Sequence, residues 1–151
     1  MSAFMELRPG ETIIDLPERY DDGIYFLGRI RTPWRSRSEC PRQGDPENGP
    51  VCRIEVDAPW REALDGVERH HDFQVLYWMD QARRDIVRQS PRSDGNTRGT
   101  FSLRSPVRPN PIASSVAKLV GRDDSALLVR GLDCLDGTPL VDIKPVICDH
   151  A

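Results

Sequence analysis

The sequence has few of the residues that build metal sites or disulfide frameworks. It contains three histidines and four cysteines in 151 residues, and no two cysteines have the C-x-x-C spacing of a zinc site or a redox motif. His70 and His71 are adjacent, so on a strand they would point to opposite faces and could not chelate one ion together. We therefore expect no metal. We interpret the cysteines as structural thiols: Cys40, Cys52, Cys134 and Cys148.

Long apolar runs are also missing. No stretch approaches the ~20 residues that a membrane-spanning helix needs, so we expect no membrane insertion. The N-terminus lacks the basic, apolar and small-residue succession of a secretory signal, which predicts a cytoplasmic location. With 38% hydrophobic and 30% charged residues, the composition is typical of a soluble domain with a real core.

Lysine is rare, since only Lys118 and Lys144 among the 21 basic residues are not arginine. The segment from Arg83 to Arg108 holds seven arginines and two aspartates, a local charge of +5 in a chain whose net charge is −3. This asymmetry predicts that the middle segment meets an anion, for which arginine offers bidentate contacts. A coding bias toward arginine would explain its excess over lysine, but not why acidic residues avoid this segment.

The hydrophobic pattern predicts a β protein with little helix. Alternating or continuous apolar runs bounded by Gly, Pro and Asp indicate strands, and the stretches 35–50 and 80–98 are long enough to be functional loops. We expect a small, single-sheeted, mostly antiparallel β-barrel, because closure removes exposed strand edges. Residues 1–22 are predicted to be an N-terminal extension, and 23–151 the barrel domain without an extra C-terminal domain. The predicted strands are 24–31, 51–57, 73–79, 99–104, 112–120, 126–132 and 140–147, with a short helix at 59–64 and a helical turn at 82–89. In the strand 99–104, alternation predicts that Phe101 and Leu103 face inward.

The most unusual segment runs from Arg104 to Ile112 and reads R-S-P-V-R-P-N-P-I. Its prolines fix φ and remove amide donors, so Arg104, Arg108 and Asn110 would project from a stiff, extended scaffold. Such rigidity lowers the entropy lost when a side chain grips a ligand. A proline-rich connector with solvated arginines is the equally weighted alternative. Later in the chain, Asp136-Gly-Thr-Pro139 on turn chemistry alone favours an ordinary hairpin turn.

Together these motifs resemble one family. The chain contains G-R-I-R-T-P-W at 28–34, P-R-Q at 41–43, G-T-F-S-L-R-S-P-V-R-P-N-P-I at 99–112 and L-D-C-L-D-G-T-P-L-V-D-I-K-P at 132–145. In this order they are similar to the TsaA-like (TrmO-type) proteins. The resemblance implies a β-barrel that binds S-adenosylmethionine and acts as a homodimer. It also implies methylation of N6 in threonylcarbamoyladenosine, which lies beside the anticodon of certain tRNAs.

The resemblance also implies the site residues. The cofactor-binding positions carried over from the family motifs are Pro41, Arg42, Gln43, Asp80, Gln81, Arg104, Ser114, Asp136, Gly137, Thr138 and Pro139. Two positions depart from the family: Asp80 stands where a histidine is common, and Ala113 where a glycine follows P-N-P-I. Asp80 is the one candidate we name for the general base that removes the N6 proton.

Arg108 and Asn110 are candidate substrate-binding residues, with the anticodon stem-loop of tRNA as the expected partner. A second function stays open at this point. A barrel that binds the cofactor and methylates or senses a small molecule, with no RNA substrate, would suit the changes at Asp80 and Ala113 and the acidic total charge.

Overall fold

The computed structural model describes residues 6–91 and 95–147, and in these parts it contains nine β-strands and four short 3₁₀-helices. The strands are β1 (Thr12–Ile13), β2 (Gly28–Arg31), β3 (Cys52–Val56), β4 (Asp72–Trp78), β5 (Ile86–Gln89), β6 (Arg98–Gly99), β7 (Ile112–Arg122), β8 (Ala126–Arg130) and β9 (Thr138–Pro145). The 3₁₀-helices are Arg37–Glu39, Ala58–Leu64, Val67–Arg69 and Thr100–Ser102. The helices within these described ranges are all too short to cross a membrane.

Six strands close into a barrel in the order β2-β3-β8-β7-β4-β9. The last strand closes it, because β9 pairs antiparallel with β2 on one side and with β4 on the other. The register shifts where Leu76 and Tyr77 of β4 pair with Asp142 and Leu140, so β9 has one extra residue there. A second shift, between Leu119 and Gly121, puts an extra residue in β7. Such bulges increase local twist and help a short sheet to close. The predicted antiparallel barrel is confirmed.

Side-chain alternation explains why these strands face as they do. In β3, Cys52, Ile54 and Val56 are buried while Arg53 and Glu55 point outward, as expected for a strand with one face in the core. The barrel interior is mostly apolar. Its most deeply buried side chains, each with 0% exposure, include Ile30, Ile54, Val75, Leu127, Val129 and Leu140.

The chain divides into two compact units that are not continuous in sequence. One unit comprises the barrel segments Ile24–Trp78 and the chain from Ser114 onward. The other combines the N-terminal residues up to Gly23 with Met79–Ala113, and holds a three-stranded sheet in the order β1-β5-β6. The sequence did not predict this sheet. The domain boundaries at residues 22 and 23 stay a prediction.

Three local predictions were wrong. Strand β2 begins at Gly28 and not at 24, since Ile24 and Phe26 are 51% and 43% exposed. The predicted helical turn at 82–89 contains β5, which is held between β1, from the N-terminal part of the chain, and the nearby β6. Residues 99–104 are not an alternating strand, because Thr100 takes the buried position and Phe101 is 83% exposed.

Candidate active site

The first long loop is fixed at both ends to the segment 131–136. At its start, the amide of Asp136 donates a hydrogen bond to the carbonyl oxygen of Trp34 at 2.7 Å. At its end, Gly44 packs so closely on Gly131 that an added Cβ would overlap the Gly131 carbonyl oxygen. The loop is therefore attached, on both sides of the predicted cofactor residues 41–43, to the segment that leads into the turn at Asp136.

Between these anchors the loop is built to present Pro41, Arg42 and Gln43. Ser36 and Glu39 form a capping box around the 3₁₀-helix Arg37–Glu39, in which Glu39 Oε2 accepts the amide of Ser36 at 3.2 Å. Pro41 is half-buried, whereas Arg42 and Gln43 are exposed. Such reciprocal capping fixes the direction of the chain entering the turn.

Residues Leu135–Thr138 form a tight turn that aims a carboxylate outward. The amide of Thr138 donates to the carbonyl oxygen of Leu135 at 3.2 Å, and Gly137 has a φ of +83°, which glycine adopts without steric cost. The turn joins β8 to β9, which are not neighbours in the barrel. The ordinary hairpin turn considered for this motif is therefore excluded.

The turn is tied to β2 on its other side. Gly137 donates its amide to the carbonyl oxygen of Ile30 at 2.8 Å, and its own carbonyl oxygen accepts from Arg29 Nη1 at 3.1 Å. Asp136 Oδ1 accepts the amide of Thr32 at 3.1 Å. Its Oδ2 lies 4.0 Å from Arg31 Nη1, and 30% of the side chain is exposed. A fixed, partly exposed carboxylate thus lies at this position.

Not every carried-over residue can contact a ligand through its side chain. Thr138 and Pro139 are buried, and the Thr138 hydroxyl donates to the carbonyl oxygen of Leu135 at 2.7 Å. Their side chains therefore shape the turn. Ser114 lies on β7, where its hydroxyl accepts from Gln74 Nε2 at 2.8 Å.

A buried polar network supports the same segment from inside the barrel, and sequence reasoning missed it. Tyr77, 3% exposed, donates its hydroxyl hydrogen to Asp133 Oδ1 at 2.8 Å and lies 2.8 Å from the hydroxyl of Ser115. Burial and the nearby Asp133 charge raise the pKa of Tyr77, so the phenol stays protonated and remains a donor. Asp133 is half-buried between two buried residues, Leu132 and Cys134, and no sequence pattern indicated its hydrogen bond to Tyr77.

The other unit carries Asp80 and Gln81, both exposed, on a turn closed by the amide of Ala82 and the carbonyl oxygen of Met79 at 3.0 Å. The amide of Met79 donates to Pro111 at 2.8 Å, which attaches this turn to the proline-rich run. Asp80 therefore sits on an anchored backbone.

Arginines fix the proline-rich run internally. Arg84 Nε donates to the carbonyl oxygen of Pro109 at 2.6 Å, and its Nη2 to Asn110 Oδ1 at 3.2 Å. Arg108 is half-buried and donates from Nη1 to the carbonyl oxygens of Leu103 and Ser105 at 2.9 and 3.0 Å. Arg104 is exposed. The expected stiff scaffold is present, but Arg108 and Asn110 are themselves part of what makes it stiff.

The barrel unit also contains an apolar cavity of about 280 Å³ that includes none of the carried-over residues. Its walls include Leu27, Val56, Trp60, Leu64, Phe73 and Leu140.

Within 6–91 and 95–147, the acidic, histidine and cysteine side chains form no group that could hold a metal ion. Cys52 and Cys134 are buried free thiols, burial raises the pKa of Cys52 to about 11, and Cys148 lies outside the described residues.

Comparison with known proteins decides the family. A profile described as "tRNA-methyltransferase O N-terminal domain" matches residues 29–150. The chain belongs to this family. Within it, the chain is 53% identical to the "Probable S-adenosyl-L-methionine-binding protein VirR" of Rhizobium radiobacter, over 92% of this chain and 79% of that protein.

Two further relatives are longer than this chain. The chain is 37% identical to the "tRNA (adenine(37)-N6)-methyltransferase" of Escherichia coli strain K12, over 80% of this chain and 56% of that protein. A crystal structure of TrmO from Pseudomonas aeruginosa superposes with a TM-score of 0.68 at 33% identity, covering 85% of this chain and 57% of that one. The chain therefore spans little more than half the length of these two relatives.

Proposed function

We propose that this protein is an S-adenosylmethionine-dependent methyltransferase that holds its cofactor between residues 41–43 and the turn at 136–139. The observation that carries the proposal is the double attachment of the first loop, at Trp34 and at Gly44, to the segment that leads into that turn. The name of the Rhizobium radiobacter relative, as a cofactor-binding protein, supports it.

The side chains present fit the chemistry of this cofactor, which carries an α-carboxylate, an ammonium group, ribose hydroxyls and an adenine ring. The exposed guanidinium of Arg42 suits a bidentate contact with the carboxylate. The fixed carboxylate of Asp136 suits the ammonium group or the ribose hydroxyls. Gln81 and Arg104, which belong to the other unit, stay proposed cofactor residues on the family resemblance alone.

When bound, the cofactor supplies a methyl group on a positively charged sulfur. Displacement at such a methyl needs no covalent protein residue, so the protein acts chiefly by positioning. We propose N6 of threonylcarbamoyladenosine in tRNA as the acceptor, in agreement with the name of the Escherichia coli relative. Asp80 is proposed to take the N6 proton, and Arg108 and Asn110 to line the path of the substrate. We further propose that the protein works as a homodimer in the cytoplasm.

The alternative acceptor is a small molecule. Asp80 and Ala113 replace the histidine and glycine expected from the family resemblance, and both changes lie in the unit that includes Met79–Ala113. The salt dependence of binding distinguishes the two acceptors. The affinity for RNA falls steeply as the salt concentration rises, whereas the affinity for a small molecule does not.

Isothermal titration with S-adenosylmethionine, and with S-adenosylhomocysteine in parallel, tests the cofactor site. We expect saturable binding that Arg42→Ala weakens by about tenfold or more, the value of a charge-assisted hydrogen bond. Arg69→Ala is the matched control, since Arg69 is also exposed but lies on the 3₁₀-helix Val67–Arg69. Binding of neither ligand by the unaltered protein would contradict the proposal. Methylation of tRNA from a strain that lacks this modification then tests the acceptor.

A further inference from the structure

Phe101 is the most exposed large hydrophobic side chain in the described parts of the chain, with 83% of its surface accessible. A single exposed apolar residue is common on protein surfaces and needs no explanation by itself. Phe101 differs in two respects. Hydrogen bonds fix the backbone on both sides of it, and the charged residues near it in sequence are arginines.

The turn that carries Phe101 is fixed from behind by a buried polar network. The hydroxyl of Thr100, 3% exposed, donates to the carbonyl oxygen of Ile86 at 2.8 Å and accepts from Gln89 Nε2 at 2.9 Å. Gln89, itself 6% exposed, also donates to the carbonyl oxygen of Val107 at 2.6 Å. These bonds connect the turn to strand β5 and to the proline-rich run.

The turn is also fixed on both sides of the ring. The hydroxyl of Ser102 donates to the carbonyl oxygen of Gly99 at 2.7 Å, and the amide of Leu103 to that of Thr100 at 3.1 Å. Arg108 holds the carbonyl oxygen of Leu103 from the opposite direction. Phe101 thus stands on a backbone whose neighbouring residues are hydrogen-bonded, so little backbone entropy remains to be lost when a ligand covers the ring.

The charge beside this ring suits a polyanion. Residues 95–108 include Arg98, Arg104 and Arg108 and no acidic residue. Arg98 and Arg104 are exposed and lie three residues before and after Phe101. Because Arg104 is proposed above for the cofactor, Arg98 is the cation expected to contact a phosphate. An aromatic face beside an exposed arginine is the arrangement that binds single-stranded nucleic acid, in which bases stack on the ring and the cation contacts the backbone.

We propose that Phe101 is the stacking platform for an unpaired base of the tRNA anticodon loop. The inference rests on the proposed function and adds to it the residue that recognises the single-stranded part of the substrate. The flat face is the property that matters. Base stacking on an aromatic side chain contributes about 5-fold to 100-fold in affinity, and it does not depend on salt in the way that phosphate contacts do.

The test measures tRNA binding by Phe101→Ala and Phe101→Trp over a range of salt concentrations, using tRNA that lacks the N6-methyl group. We expect Phe101→Ala to weaken binding by about 5-fold to 100-fold without changing the slope of log K against log salt. Phe101→Trp should bind within about twofold of the unaltered protein, because indole also stacks. Arg98→Gln should instead reduce that slope by about 0.7 to 1.

Two matched controls distinguish base stacking from nonspecific binding to an exposed ring. Tyr25→Ala removes another ring, 74% exposed, from the barrel unit and should leave tRNA affinity unchanged. A blunt RNA duplex has no unpaired bases, so the unaltered protein and Phe101→Ala should bind it equally.

Three results would overturn the proposal. Unchanged tRNA affinity in Phe101→Ala would show that the ring touches no base, while tRNA methylation by the unaltered protein would leave the proposed function intact. A lower affinity for S-adenosylmethionine in this variant would assign the ring to the cofactor site. A shift of the variant to a smaller oligomer in light scattering would assign the ring to a contact between copies of this chain. If the unaltered protein bound no tRNA, the proposed function would fail first, and the inference with it.

Discussion

Removing one hydroxyl group from inside the barrel should cost measurable stability. In Tyr77→Phe the ring still fits, because only the oxygen is lost, but Asp133 loses its hydrogen bond at 2.8 Å. Ser115, whose hydroxyl lies 2.8 Å from the same oxygen, loses its partner there as well. The site is 3% exposed at Tyr77, so water cannot easily replace the missing donor.

The size of the effect follows from these two contacts. A hydrogen bond to a charged group is worth about 1.5 to 3 kcal/mol, and the phenyl ring recovers part of this because it is easier to bury than a phenol. We expect a loss of about 2 kcal/mol in the free energy of unfolding. For a protein of this length that corresponds to a fall in Tm of about 4 to 8 °C.

Urea denaturation and calorimetry of Tyr77→Phe measure the loss, and Tyr25→Phe is the control, since the same oxygen is removed from a side chain that is 74% exposed. The control should change stability by less than about 0.5 kcal/mol. A double-mutant cycle with Asp133→Asn should give a coupling energy of about 1 kcal/mol or more. A change below about 0.5 kcal/mol in Tyr77→Phe, or strictly additive single and double variants, would refute the role given to this network.

Two other perturbations test the loop anchor and a buried thiol. Gly44→Ala should lower stability by about 1 to 3 kcal/mol, because the added Cβ overlaps the Gly131 carbonyl oxygen. The same variant should bind the cofactor more weakly in calorimetry. Gly23→Ala is the control and should change neither stability nor cofactor binding, because the space around Gly23 is open. Burial raises the pKa of Cys52 from 9.0 to about 11, so between these values the unfolded thiol ionises while the folded one keeps its proton, and stability falls as pH rises above 9. Discounted for partial solvation, the loss is on the order of 1 kcal/mol between pH 8 and pH 10. Urea midpoints should show a smaller alkaline loss in Cys52→Val, and an equal loss in both proteins would contradict the assignment.

The barrel was predictable because its strands are half-buried and therefore alternate. In β3 and β8 the apolar residues fall where the interior needs them, and local patterning alone located these strands to within one or two residues. The second sheet could not be found this way. Its strands β1 and β6 contain two residues each, so they carry no periodic signal and exist only because β5 lies between them.

The site was predictable to the extent that motifs fix the backbone. The sequence indicated the turn at Asp136 and the stiff proline run, because Gly and Pro have specific conformational requirements. It did not indicate that Arg108 is hydrogen-bonded to its own loop or that Phe101 faces solvent. Alternation placed Phe101 inward, and the buried hydroxyl of Thr100 reversed that choice through partners at Ile86 and Gln89.

Closure of the barrel has a consequence for the time at which the protein can fold during synthesis. Strand β2 pairs with β9, in a register that joins Gly28 to Leu140, so one of the first barrel strands to leave the ribosome waits for the last. Until then β2 and β4 each have an unpaired edge, the kind of edge on which nascent chains associate. Contacts this distant in sequence also make folding slow. A chain interrupted before residue 138 would therefore form an open sheet in which β2 and β4 each keep an unpaired edge. Such a product would be prone to aggregate.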